Sequence, residues 1–162
     1  MESANSLLRL EASFYDKVIV ETVPQYQQGV PISLRGDIGV ELVPSTESSS
    51  PWAVILSVAI NAPEEGPTPP YTVDMRAIGH FRWEGDTEAG DEGFERIVGV
   101  NGASLLFSGM RELVAIITAR GPWGQMLLPT LDFRAIEIVT RPPDTAEAPA
   151  DSEKPEDDAI DE

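Results

Sequence analysis

The side chains that could do chemistry in this chain are few, and their spacing does not suit it. The one histidine, His80, falls on the polar side of the alternating run "YTVDMRAIGHFRW", which makes it a solvated sheet-face residue. Ser104 in "GASLL" and Ser108 in "LFSGM" lack the G-x-S-x-G frame that presents a nucleophile on a strand-to-helix elbow. With one histidine and no cysteine, the usual zinc ligand sets cannot be assembled. The acidic stretch "EGDTEAGDEGFE" reads as a calcium loop starting at Asp86 only if position six is the turn glycine, and that position is Asp91. Asp91 and Glu92 could act as acid and base only in a dry cleft that raises one carboxyl, whereas a Gly-rich acidic loop is wet. The glycines of "GVNGAS" do not form G-x-G-x-x-G, and no lysine follows in phosphate-loop spacing. The chain is therefore read as a non-enzyme with no catalytic residue, metal ligand set or cofactor site.

Binding chemistry is better represented. Residues 103–133, "ASLLFSGMRELVAIITARGPWGQMLLPTLDF", run from an amphipathic segment straight into the apolar loop "GPWGQMLLP". Loops turn polar to keep unpaired backbone groups in water, so Trp123, Met126, Leu127 and Leu128 together mark either core that folds back on a sheet or a surface that touches something.

Charge narrows what that something is. With 28 acidic against 11 basic residues the formal charge is −17 over 162 residues, which repels nucleic-acid phosphates and anionic lipid surfaces and favours cationic partners. Absence of cysteine fits a reducing compartment, and no basic segment followed by a long apolar run opens the sequence. No unbroken run of about 18 apolar residues suggests a membrane span either, so a cytoplasmic protein is expected. Residues 142–162 hold nine acids, one lysine and four prolines, the composition of a disordered tail. The expected organisation is an N-terminal extension over 1–13, one domain over 14–141 and the tail over 142–162.

Four segments have strand character: "FYDKVIVETV", "SLRGDIGVELV", "WAVILSVAINA" from Trp52, and "YTVDMRAIGHFRW". The first leaves its buried face undecided, because Val18 and Val20 oppose Tyr15, Ile19 and Val23. Leu106, Met110, Leu113, Val114 and Ile117 then follow the spacing of one helix face, with Arg120 in the last turn, Gly121 as a left-handed cap and Pro122 as the stop. Beyond Pro129, "TLDFRAIEIV" fits a short helix and alternates nearly as well. Strands before helix argue for an α+β architecture with an antiparallel sheet.

The stretch from Leu105 to Phe133 resembles the SecB family of protein-export chaperones, whose members carry a comparable "ILFPYARE" segment, an "SRG" or "ARG" helix end, an aromatic-containing loop and "LxPxxF". Weaker similarity extends over residues 14 to 140. Ser108 and Gly109 replace the family's usual Pro-aromatic pair, which would loosen the helix entry, and Gly124 replaces a proline, which would reshape the loop. The resemblance implies a four-stranded antiparallel sheet with a long and a short helix packed on one face, assembled as a homotetramer, a dimer of dimers. It further implies an ATP-independent holding chaperone that binds unfolded polypeptides, such as preproteins for export, in an apolar groove. The groove walls would be the crossover loop "PQYQQGVPI", with Tyr26 and Val30, and the loop after the long helix, with Trp123, Met126 and Leu127. Two other readings are a SecB-like chaperone dedicated to an aggregation-prone antitoxin, and a single-partner interaction module, both without the export motor. That motor, SecA, docks in this family on acids of the outer sheet face and on the C-terminal tail. Asp74 matches one of them, Val18 and Thr22 stand at two others, and Glu21 is expected to point away.

Overall fold

The computed structural model describes residues 8–30, 36–44, 52–84 and 92–142. The acidic loop around Asp86 and Asp91, Leu34, and the tail after Pro142 lie outside the described residues. Strands β1 (Leu8–Thr22), β2 (Gly36–Val43), β3 (Trp52–Ile60) and β4 (Tyr71–Trp83) precede one long helix, α1 (Glu92–Thr118). A single 3-10 turn, Phe133–Ala135, and a short strand β5 (Ile138–Thr140) follow.

The sheet has five strands in the order β1-β4-β3-β2-β5, antiparallel except for the parallel pair β2 and β5. The expected fourfold sheet therefore gains a strand, and the expected second helix shrinks to one 3-10 turn. The physical reason lies in "TLDFRAIEIV". Asp132 caps only one turn, accepting the Arg134 N–H at 3.1 Å, and Ile136 is already back in extended conformation. Beyond it Ile136 and Ile138 turn inward while Glu137 and Val139 stay exposed, so the two-residue alternation prevails over the helical period. Ile138 packs directly over Gly99 of α1.

Strands β3 and β4 alternate strictly between buried and half-buried positions, as their sequences predict. β1 carries two irregularities of register, between Leu10 and Ala12 and between Tyr15 and Lys17. The second leaves Asp16 as an extra residue and flips the phase, so Tyr15 opposite Ala77 and Val18 opposite Met75 share the helix-side face despite their odd spacing. This resolves the ambiguity of the first strand. The same register places Ile19 opposite Asp74 and Glu21 opposite Thr72, on the outer face, with Val18 and Thr22 on the other. Glu21 thus shares the face of Asp74, contrary to the sequence expectation. β1 begins at Leu8, so six residues assigned to the N-terminal extension belong to the sheet.

α1 begins well before the stretch that suggested it, and Ser108 and Gly109 lie far inside it rather than at its entry. Its N-terminal turns are anchored by Phe94, whose ring meets those of Trp52 and Trp83 edge-on at 5.4 and 4.7 Å. Val98, Ala103, Leu106, Met110 and Val114 form the buried stripe, over Val54, Leu56, Met75 and Phe81 of the sheet. Approach is close because Gly102 faces Val54 and Phe81, where a Cβ would collide with both. Length and composition would also let Gly93–Thr118 cross a membrane, which a search for an unbroken apolar run misses. Here its apolar stripe is core.

Candidate functional site

The site is built where α1 ends beside the first residue of β4. Thr118, the last helical residue, is buried, and its hydroxyl donates back to the Val114 carbonyl at 2.7 Å while accepting the Met126 N–H at 2.9 Å. Tyr71 is also buried, and its hydroxyl reaches the same loop from the sheet. It accepts the Trp123 N–H at 3.2 Å and lies 3.0 Å from the Gly124 carbonyl and 3.3 Å from that of Thr118, to either of which it can donate. Two side-chain hydroxyls therefore satisfy loop backbone groups that would otherwise need water.

Gly121 is needed here for space and not for a left-handed cap: a Cβ at this position would run into the Tyr71 hydroxyl. The left-handed residue is Gly124, at φ 76°. A proline, fixed near −65°, could not take that conformation, so this loop conformation depends on Gly124. Residues 128–131 then turn back along the helix, tied by Arg111 Nε donating to the Leu128 carbonyl at 3.1 Å.

The crossover loop after β1 meets this loop at an aromatic pair. The rings of Tyr26 and Trp123 stand 5.6 Å apart at 64°, an edge-on pair joining segments almost a hundred residues apart in sequence. Val23 fixes the base of the crossover loop, buried, with its N–H on the Pro70 carbonyl at 3.0 Å. Beside it lies a cleft of about 320 Å³ lined by Gln25, Gln27, Val30, Gly66, Pro67 and Thr68.

Of the residues the sequence nominates, Tyr26 and Trp123 meet, Val30 lines the neighbouring cleft, and Leu127 in the same loop is 64 % exposed against 37 % for Trp123. Met126 does not join them. At 5 % exposure it is core, because its backbone N–H is bound to Thr118 and the extended chain turns alternate residues inward and outward. Sequence reading missed Tyr71 and Thr118, which look like an ordinary strand aromatic and an ordinary helix residue. A second cleft, about 120 Å³ and mostly apolar, opens between Leu128, Pro129, Leu131, Phe107 and the ends of β2 and β3.

On the outer sheet face Asp74 is ion-paired with Lys17, and Arg76 with Asp16 at 3.0 Å. His80 is half-buried there, edge-on to Phe14 at 6.0 Å. Among the described residues no group of three or more acidic or histidine side chains is placed to hold a metal ion.

No protein-family model matches this sequence, and no curated protein is significantly similar to it. Solved structures are similar in fold. The Mycobacterium tuberculosis SecB-like chaperone Rv1957, solved in complex with a ChAD peptide from the HigA1 antitoxin, superposes with a TM-score of 0.55 at 16 % identity, covering 76 % of this chain and 90 % of that one. A Streptococcus agalactiae protein of unknown function reaches a TM-score of 0.50 at 11 % identity, covering 76 % and 97 %. The α+β architecture of this chain is SecB-like.

Proposed function

We propose that this chain is an ATP-independent holding chaperone that takes up unfolded polypeptide along an apolar strip of Tyr26, Val30, Trp123 and Leu127. The observation that carries the reading is the Tyr26 and Trp123 ring pair, which joins the crossover loop and the loop after α1 into one partly exposed wall. Aromatic rings offer large contact area to varied side chains at low entropic cost, which suits a binder of many sequences. Such a protein acts by mass action on the unfolded state and requires no ATP, metal or catalytic residue.

The fold neighbour that holds an antitoxin peptide supports a polypeptide ligand and favours a dedicated, aggregation-prone client of that kind over preproteins for export. Outer-face electrostatics support the same preference. Asp74 is neutralised by Lys17, which weakens a charge-complementary dock for SecA, although Glu21 stands on the same face. The expected outcome is that Asp74→Ala leaves binding to the SecA of the same cell at physiological salt unchanged; tight, Asp74-dependent binding would restore the export role. A cytoplasmic location is part of the same reading.

The decisive experiment is suppression of aggregation of several unrelated unfolded proteins. Trp123→Asp is expected to weaken holding at least ~30-fold, the loss of about 2 kcal/mol from a partly exposed aromatic anchor, with little change in melting temperature. Binding of one folded partner and of no unfolded protein would favour the interaction module, and unfolding of the variant would show that Trp123 is core.

A further inference from the structure

We infer that Tyr71 and Thr118 are positioning residues for client binding: their hydroxyls set the loop so that Trp123 meets Tyr26. The inference rests on the chaperone reading above.

Three features of the geometry point the same way. First, both hydroxyls bind loop backbone. Tyr71 takes the Trp123 N–H itself, and Thr118 takes that of Met126, so the two clamps bracket Trp123, Gly124 and Gln125. Second, the clamps stand on rigid elements. Tyr71 is the first residue of β4, with its ring in the core, and Thr118 closes α1, its hydroxyl also held by Val114. Third, the sequence makes room for the contact: Gly121 lies against the Tyr71 hydroxyl, where any larger residue would displace it.

Without the clamps the loop would keep its burial anchors, Met126 and Leu128, and lose the definition of what lies between Gly121 and Met126. Trp123 is only partly buried and cannot fix itself. A binding surface whose aromatic is held in place loses less freedom on binding, so releasing it should appear in client affinity before it appears in stability. The hydroxyls would thus act through Trp123 and need not touch the client.

The test uses the full chain and reduced, carboxymethylated α-lactalbumin as the unfolded probe. Tyr71→Phe keeps the buried ring and removes the clamp, and should weaken binding about tenfold. Thr118→Val should do the same, while Thr118→Ser, which keeps the hydroxyl, should restore binding. Limited trypsin cleavage after Arg120, at the edge of the loop, should accelerate in Tyr71→Phe and Thr118→Val and return to the wild-type rate in Thr118→Ser, with cleavage elsewhere unchanged. Wild-type affinity and wild-type cleavage in both Tyr71→Phe and Thr118→Val would overturn the positioning role alone. Failure of the wild-type chain to bind the probe would overturn the chaperone reading and this inference with it. Should Tyr71→Phe unfold, the Thr118 pair decides.

Discussion

At the scale of single residues, neighbours in one loop have opposite duties. Met126 is buried and Leu127 exposed, so Met126→Ala should cost about 2–5 kcal/mol of stability, as core truncations do, while Leu127→Ala should cost little stability and weaken client binding. Urea denaturation of both variants beside probe titration separates the two; equal stability losses would mean that Leu127 is packed. The sequence showed that the loop is unusually apolar, but not which of its residues point outward. That depends on where Thr118 and Tyr71 grip the backbone, which is tertiary information absent from local spacing. Tyr71 was legible only as a strand aromatic, since nothing near it in sequence announces a partner about fifty residues away.

At the scale of elements, the alternation of β3 and β4 and most of the face of α1 were readable because these patterns are long and regular, although Ile117, expected inward, is exposed and Ala115, expected outward, is buried. β1 was not readable to the same degree, because two bulges break its period and no local rule predicts which residue is the extra one. β5 was only half legible, because the segment that contains it fits a helix as well as it alternates and its strand is three residues long. The pairing of β1 with β4 carries cross-strand ion pairs, among them Glu11 with Arg82 and Asp16 with Arg76. The Arg82 guanidinium, hydrogen-bonded to Glu11, holds its carboxyl below the usual glutamate range. A lowered folded-state value means that the stabilisation is present above the unfolded value and lost as pH falls through the folded one. Both groups are exposed, so the effect is small and salt-screened. Hydrogen-exchange protection of β1 amides, corrected for intrinsic rates, should drop about two- to threefold more on acidification than that of β3 amides. Glu11→Gln should remove part of that difference; identical acid sensitivity in the two strands would dissociate the pairs from β1 stability.

At the scale of the whole molecule, a good deal of apolar surface is left uncovered. Leu105 and Ile116 on α1 are 50 % and 60 % exposed, and the helix-side face of β1 leaves Leu10, Tyr15 and Val18 half open. Scattered apolar residues are ordinary on a surface, whereas a continuous border of helix and strand is the mark of a covered interface. The expected state is a tetramer, and light scattering at micromolar concentration should give about four times the 17.6 kDa chain mass, both for the full chain and for one ending at residue 141. A monomer in the first case would remove the shared interface, and a tetramer lost only in the second would give the acidic tail a structural duty that its composition does not suggest. The sheet order has a practical outcome for handling such a protein. β1 and β5 occupy opposite borders, with four inter-strand steps and hence ~19 Å between them, so Leu8 and Thr140 belong to different sides of the molecule. A fusion placed directly before Leu8 stands at the β1 border of the sheet, and one placed directly after Thr140 stands at the β5 border. A fusion at the β1 border is therefore expected to weaken a tetramer that uses that border, and one at the β5 border to leave it intact, which native mass would report.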